Sequence, residues 1–238
     1  MEALDVKATL FEQFTRVTKA LGSGNRLRLL DLLAQTERSV ESLATLTAMS
    51  VANTSRHLQQ LRRAGLVASR KEGAYVYYRI SGNGVVRLLQ AIGEVAEHNL
   101  AEVSQLIAQY LESRDQLEPV PQRELLARVR KGLVTVIDVR PAEEFAAGHI
   151  PGALNVPLAE LDTWSQRAPH DREIVAYCRG PYCVFAYEAV VRLRRKGFDA
   201  RRLADGFPQW RSAGLPVESG RAPRRRSAAR RAFNRVLE

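Results

Sequence analysis

The chain has 238 residues, of which 45% are hydrophobic, and a formal net charge of +10. This length suits two ordinary domains, and the hydrophobic content is sufficient for packed cores. The opening residues lack the basic and then apolar order of a signal peptide, and no apolar run approaches the ~20 residues of a membrane span, so we expect a cytoplasmic protein without a membrane partner.

Residues 1 to 64 have the apolar spacing of four helices. Two helices are predicted before residue 34, separated by Gly22 and Gly24, and a third over about 40 to 46. The fourth begins after Ser50, a typical N-cap residue, and runs to about Ala64. Two short helices joined by a turn in this way have the layout of a helix-turn-helix.

The helix after Ser50 has one apolar stripe and one polar face. The side chains predicted to contact DNA lie on that face and its flanks: Asn53, Ser55, Arg56, His57, Gln59 and Gln60, together with Arg63. Amides, hydroxyls and guanidinium groups can read base edges and phosphates in a major groove. An ordinary solvated face normally includes Glu or Asp, but no acidic residue occurs between Ser50 and Arg70. This favours double-stranded DNA as a partner.

A β-hairpin is predicted next, with strands over residues 66 to 71 and 74 to 80. Arg70 and Lys71 lie near its tip, where they are predicted to contact the DNA backbone. A long helix from about Gly84 to Tyr110 follows, and its apolar face is larger than so small a domain needs. A partner subunit is expected to cover part of that face.

These elements, in this order, resemble the ArsR-type winged-helix repressors. The resemblance rests on the segments Leu21-Gly22, Arg26 to Leu30, Ser55 to Leu58, Leu61 to Val67 and Val76 to Ile80. It implies a mainly α winged helix-turn-helix domain over residues 1–112, which forms a homodimer through its first and last helices. Many members of that family release DNA on binding a metal, but here the helix before the recognition helix lacks the necessary cysteine. We therefore predict neither a metal site nor a cofactor.

Residues 113–121 are polar, contain two prolines, and are the predicted linker to a second domain over residues 122–220. In that domain, strands predicted at 133 to 137, 154 to 156, 174 to 177 and 200 to 203 alternate with helices. This alternation predicts an α/β domain with a parallel sheet, whose chemistry lies at the carboxyl ends of the strands. Asp138 and Cys178 lie at such ends.

The two cysteines of the chain, Cys178 and Cys183, enclose a short loop between a predicted strand and a helix. The unpaired amides and the dipole of that helix favour an anion, so Cys178 should be more thiolate than usual. Arg179 adds positive charge beside it. In a cytoplasmic protein two close cysteines are more often reactive or metal-binding than structural, and two thiols without a nearby histidine are too few for a closed zinc site.

Five segments of this domain together resemble a single-domain rhodanese: Asp138 to Arg140, Glu143 to Phe145, Gly148 to Pro157, Cys178 to Gly180 and Asp205 to Trp210. The resemblance implies that Cys178 accepts sulfane sulfur as a persulfide. The loop of Arg179, Gly180, Pro181 and Tyr182 would hold that persulfide, chiefly through its amides. Asp138 and Arg140 would support the loop, either by direct substrate contact or as a structural ion pair.

Cys183 departs from the rhodanese pattern, which usually has an arginine at the last loop position. A thiol there cannot hold an anionic donor such as thiosulfate, but it can attack a persulfide on Cys178. The alternative is that Cys183 is a small buried residue without a role in the chemistry. We interpret the chain as a DNA-binding regulator that senses a sulfane sulfur donor (persulfide, polysulfide or thiosulfate) through Cys178 and Cys183. Its rival is a sulfurtransferase that moves sulfur from thiosulfate or a persulfide to a thiol acceptor, with an attached DNA-binding domain.

The final segment, residues 221–238, contains seven arginines and one glutamate, and so accounts for six of the ten net positive charges. A solvated, disordered basic tail is predicted, with contact to DNA phosphates as a lesser alternative.

Overall fold

The structure, a computed structural model, describes residues 3–112 and 118–220. It divides the chain into a first unit that ends at Leu89 and a second unit that begins at Gln90. The predicted tail at 221–238 and residues 113–117 of the predicted linker lie outside the described residues. The predicted domain boundaries themselves remain a prediction.

The first unit contains four helices, a small sheet and the start of a fifth helix. The helices are α1 (Ala3–Leu21), α2 (Gly24–Gln35), α3 (Val40–Thr47), α4 (Val51–Arg63) and α5 (Asn83–Asn99); the strands are β1 (Arg38–Ser39), β2 (Val67–Glu72) and β3 (Tyr75–Ile80). The strands are antiparallel in the order β1-β3-β2. The winged helix-turn-helix arrangement is therefore confirmed, while β1 was not predicted.

The two helices of the helix-turn-helix begin as the sequence indicates. The hydroxyl oxygens of Ser39 and Ser50 accept hydrogen bonds from the third residue of α3 and α4, respectively. Thr54, Leu58 and Leu61 are completely buried, because they share the face of α4 that packs into the core. The polar side chains predicted for DNA are thereby left on the other faces of α4.

The second unit contains the remainder of α5 and an α/β fold. Its elements are α6 (Ala101–Ile107), a π-helical turn (Ala108–Glu112), α7 (Gln122–Arg130), β4 (Val134–Asp138), α8 (Ala142–Ala147), β5 (Leu154–Asn155), α9 (Leu161–Ser165), β6 (Glu173–Tyr177), α10 (Val184–Arg195), β7 (Ala200–Arg202) and α11 (Phe207–Ser212). The four strands are parallel in the order β5-β4-β6-β7. This confirms the predicted α/β domain with a parallel sheet.

The central strand β6 is buried on both faces of the sheet. Ile174 and Ala176 pack on one face with α10, and Cys178 continues that face at the end of the strand. Val175 and Tyr177 pack on the other face with Trp210 of α11. Helices on both faces of a parallel sheet explain why residues Ile174 to Tyr177 of β6 form an unbroken apolar run.

The prediction of one long helix over residues 84 to 110 was wrong. Helix α5 ends at Asn99, and Leu100 has extended backbone angles (φ −113°, ψ 106°) before α6 begins. The side-chain amide of Asn99 donates a hydrogen bond of 2.8 Å to the carbonyl oxygen of Val95. Asparagine is a weak helix former because its side chain competes for backbone groups in this way.

The end of the predicted linker is part of the second unit. Val120 is fully buried and forms a parallel bridge with Leu203, one residue beyond β7. Its amide donates to the carbonyl oxygen of Arg202 at 2.8 Å. Within residues 3–112 and 118–220, no helix is both long enough and apolar enough to cross a membrane.

Candidate functional site

The cysteine loop lies at the carboxyl end of β6, immediately before α10. A disulfide joins Cys178 and Cys183, whose Cα atoms are 6.2 Å apart. This separation is inside the ~4.4 to 6.8 Å range that a disulfide requires. The loop of four intervening residues therefore brings the second thiol to the sulfur of the first.

The two cysteines differ in their surroundings. Cys178 is 1% exposed and packs in the core between the sheet and α10, whereas Cys183 is half-buried and is the N-cap residue of α10. The amide of Cys183 donates to the carbonyl oxygen of Gly180 at 3.1 Å, which closes the turn through Pro181. The first amides of α10 begin directly behind Cys183, so the positive end of the helix lies beside the sulfur atoms.

Arg179 does not contribute an isolated positive charge to the loop. Its guanidinium donates from Nε to both carboxylate oxygens of Glu144, at 3.1 and 3.0 Å, and from Nη2 to Oε1 at 2.6 Å. Glu144, in α8, is completely buried, and Arg179 is 21% exposed. The charge of Arg179 is thus balanced by a carboxylate that the sequence analysis noted only as part of a motif.

Asp138 and Arg140 form a buried ion pair at the carboxyl end of β4. Both side chains are fully buried, and Nη2 of Arg140 donates to Oδ2 of Asp138 at 2.6 Å and to the carbonyl oxygen of Gly148 at 2.7 Å. The nearby Asp138 raises the pKa of Arg140, although burial opposes this. The pair connects the end of β4 to Gly148, which follows α8.

Gly206 supports the cysteine loop, a role that sequence reasoning missed. A Cβ atom at this position would lie 2.3 Å from the carbonyl carbon of Arg179 and from the amide nitrogen of Gly180. The next residue, Phe207, donates its amide to the carbonyl oxygen of Cys178 at 3.0 Å. Glycine at 206 therefore lets the start of α11 lie directly against the loop backbone. In the sequence, the segment Asp205 to Trp210 shows only its resemblance to a rhodanese.

Tyr182 extends from the loop to the last two turns of α5. Its hydroxyl donates to Oε2 of Glu97 at 2.9 Å, and its side chain lies against Gly93. Burial raises the pKa of Tyr182 to about 12, with further contributions from the hydrogen bond to Glu97 and the charges of Glu97 and Glu94. The hydroxyl is therefore protonated at neutral pH and acts as a donor.

The polar face of α4 is the candidate nucleic-acid interface. Arg56 and Gln59 are exposed, while Asn53, Ser55 and His57 are partly buried. Burial and the neighbouring Arg26 and Arg56 lower the pKa of His57, so its imidazole is neutral at neutral pH. The amide of Gln59 donates to the hydroxyl of Ser55 at 3.3 Å along the helix.

Gln60 contacts a cation that was not among the predicted site residues. Nη1 of Arg26 donates to Oε1 of Gln60 at 2.6 Å, and Arg26 also donates to two carbonyl oxygens at the end of α1. A cleft beside these residues is lined by four cations: Arg16, Lys19, Arg26 and Arg63. Helices α1 and α2 bring three of these cations to the end of α4, which local sequence spacing does not reveal.

The hairpin carries Arg70 and Lys71 at the predicted positions, and both are exposed. Arg70 forms ion pairs with Glu37, whose Oε1 accepts from Nε at 2.6 Å, and with Glu72. These two carboxylates raise the pKa of Arg70 above its usual value. Lys71 points into solvent beside them and has the more accessible charge for a phosphate.

Two stretches of the chain match known families. Residues 23–69 match the family described as "Bacterial regulatory protein, arsR family", and residues 121–213 match the "Rhodanese-like domain". The HTH-type transcriptional regulator Rv0324 of Mycobacterium tuberculosis is 50% identical over 216 residues, which cover 91% of this chain and 95% of that protein.

Other similar proteins correspond to one part of the chain each. A sulfurtransferase of Allochromatium vinosum is 33% identical over 85 residues, which cover 35% of this chain and 78% of that protein. The solution structure of the homodimeric winged helix-turn-helix DNA-binding domain of Mb0332 from Mycobacterium bovis is 49% identical, with a TM-score of 0.38, and covers 40% of this chain and 89% of that chain.

Proposed function

This chain belongs to the arsR family of bacterial regulatory proteins and carries a rhodanese-like domain, and from this premise we propose that its cysteine loop senses reactive sulfur species such as persulfides. The observation that carries the proposal is the bond between Cys178 and Cys183 across the loop. Because a second thiol lies within reach of the first, the reaction of this site with a persulfide leaves a disulfide between the two cysteines.

The chemistry needs no oxidant other than the persulfide itself. The Cys178 thiolate attacks the sulfane sulfur of a persulfide RSSH, and the thiol RSH leaves. The Cys183 thiolate then attacks Sγ of Cys178, the disulfide forms, and hydrosulfide leaves. In total, two thiols are oxidised to a disulfide and one sulfane sulfur is reduced to hydrogen sulfide. A dithiol reductant returns the loop to its starting state.

We expect the regulator to bind double-stranded DNA as a homodimer. The apolar residues of α1 that are exposed in one chain suit a second copy: Leu10, Phe11 and Phe14 are 50%, 57% and 56% exposed. The exposed polar face of α4, with Arg56 at its centre, supplies groups that read one half-site, and a two-fold dimer reads two. Lys71 of the hairpin supplies a phosphate contact beside it.

A sulfurtransferase is the second candidate function, favoured by the similarity of the second unit to the sulfurtransferase of Allochromatium vinosum. In that case the Cys178 persulfide is passed to an external thiol rather than to Cys183. Two features favour the sensor. Cys183 carries no positive charge for an anionic donor, and the charge of Arg179 is balanced by Glu144.

The deciding experiment compares DNA affinity with protein mass. A duplex selected from a random pool by the reduced protein is titrated with reduced and with glutathione-persulfide-treated protein, beside Cys178→Ser and Cys183→Ser. We expect the affinity of the wild type to change by about 5- to 150-fold and to return after dithiothreitol, whereas neither variant responds. Intact mass should show loss of two hydrogen atoms in the wild type and gain of one sulfur atom in Cys183→Ser.

Equal DNA affinity in all samples, in spite of the expected masses, contradicts the sensor. Multiple turnovers of sulfur transfer to a thiol acceptor under the same conditions then favour the enzyme.

A further inference from the structure

The residue between Pro181 and Cys183 connects the cysteine loop to a helix that is remote in sequence. Tyr182 donates its hydroxyl hydrogen to Glu97 at 2.9 Å, across 85 residues of sequence. Both residues belong to the second unit, which includes the last turns of α5. Tyr182 is 44% exposed, so its contact with Glu97 lies at the surface and not in the core.

Gly93 makes room for this contact. A Cβ atom at position 93 would lie 3.1 Å from the hydroxyl oxygen of Tyr182 and 3.2 Å from its ring carbon Cε2. Gly93 and Glu97 are four residues apart and therefore share one face of α5. Glycine within a helix is destabilising relative to alanine, so its position here is explained by the close approach of the tyrosine.

We propose that Tyr182, Gly93 and Glu97 form a latch through which helix α5 responds to the bond between Cys178 and Cys183. The inference rests on the proposed function, and it names the residues that regulate the same site. Tyr182 is covalently next to Cys183, so the position of Cys183 constrains the position of the tyrosine. The structure contains the disulfide together with the closed latch.

Tyr182 is restrained by the disulfide of the adjacent Cys183 and by its own hydrogen bond to Glu97. Reduction breaks the disulfide and so removes the first restraint. The tyrosine hydroxyl then exchanges its bond with Glu97 for bonds with water, which reaches both side chains because they are exposed. Helix α5 is continuous from Asn83 to Asn99, and Val85 and Val86 of its first turn are buried in the first unit. A restraint on its last turns is therefore a restraint on a helix whose other end is fixed in the DNA-binding unit.

The test measures the ratio of DNA affinities between the persulfide-treated and the reduced protein. Tyr182→Phe keeps the ring and removes the donor, Glu97→Ala removes the acceptor, and Gly93→Ala places a methyl group against the ring. Each should reduce the ratio about fivefold relative to the wild type, because one coupling interaction is lost. Glu97→Gln retains an acceptor oxygen and should keep most of the ratio.

A matched control is Tyr110→Phe, the same change at a tyrosine that is 55% exposed. It should leave the ratio unchanged. In Glu97→Ala, Glu97→Gln and Gly93→Ala the mass of the treated protein should show the same disulfide, because Gly93 and Glu97 lie in α5, outside the cysteine loop. This readout separates the latch from general damage to the loop.

The two proposals fail in different ways. If the wild type forms the disulfide without a change in DNA affinity, the proposed function is wrong and the latch has nothing to transmit. If the wild type responds and Tyr182→Phe, Glu97→Ala and Gly93→Ala respond equally well, the sensor stands and the latch is wrong.

Discussion

The guanidinium of Arg179 lies on the buried carboxylate of Glu144, with Nη2 2.6 Å from Oε1. Arg179 is the one charged residue between Cys178 and Cys183 in the sequence. The ion pair therefore joins the cysteine loop to α8, and Glu144 balances the charge of Arg179 before any sulfur donor binds. Thiosulfate, a dianion, gains little from such a pair, whereas a persulfide needs only the amides at the start of α10.

Substitution of Arg179 by alanine should destabilise the second unit rather than act on sulfur chemistry alone. It removes the cation beside a buried carboxylate, which costs about 3 kcal/mol of unfolding free energy. Urea unfolding can be followed by tryptophan fluorescence, since both tryptophans of the chain, Trp164 and Trp210, lie in the second unit. Glu144→Gln removes the buried charge and should lose less. An unchanged midpoint in Arg179→Ala would show that the ion pair is not structural.

Gly206→Ala should displace the cysteine loop. The added methyl carbon would lie 2.3 Å from backbone atoms of Arg179 and Gly180, so the loop or α11 must move. We expect a loss of about 1–3 kcal/mol in stability and slower formation of the disulfide after persulfide treatment. Gly24→Ala is the control, because a Cβ there meets nothing within 4 Å. A Gly206→Ala protein with wild-type stability and reactivity would contradict the assigned contact.

Cys183→Arg should improve turnover of thiosulfate while it abolishes sensing. The new cation lies at the start of α10 beside Cys178, where it can hold the donor dianion, and no second thiol remains to form the disulfide. We expect a gain of about tenfold in kcat/KM with cyanide as the sulfur acceptor, equivalent to one charge-assisted contact. Cys183→Ala, which removes the thiol without adding charge, should show no gain. Fast thiosulfate turnover by the wild type, unaltered by the arginine, would mean that the roles of sensor and enzyme are reversed.

Arg56→Ala should weaken binding to the selected duplex by about 5- to 150-fold, because one guanidinium contact to a base or phosphate is worth about 1–3 kcal/mol. Binding of the wild type should also fall as salt is raised, since phosphate contacts release counterions. Arg195→Ala removes the same charge from an exposed position in the second unit and should have little effect. A similar loss in both variants would indicate an effect of total charge rather than of the α4 face.

The element types and their order could be predicted from the sequence, because they depend on local spacing. The stripe of Thr54, Leu58 and Leu61 repeats with the period of a helix, and residues Ile174 to Tyr177 of β6 form an apolar run. The position of Cys178 at the end of a parallel strand follows from that pattern alone. The proximity of Cys183 to Cys178 can also be predicted, since a separation of five residues limits how far apart their sulfur atoms can lie.

Local spacing was insufficient where an element is short or where a side chain competes with the backbone. Strand β1 has two residues, too few to show a period of two, and it exists because it pairs with β3. The helix predicted over residues 84 to 110 breaks at Asn99 and Leu100, although its apolar pattern continues.

The partners of the loop residues were decided by the tertiary structure alone. Arg179 contacts Glu144, 35 residues away, and Tyr182 contacts Glu97, 85 residues away. Gly206 lies so close to the backbone of Arg179 and Gly180 that any side chain at position 206 would collide with it. Ion pairs, hydrogen bonds and close approaches depend on which surfaces the packed core brings together. A periodic pattern records only which face of its own element a residue occupies, so these contacts leave no signal in it.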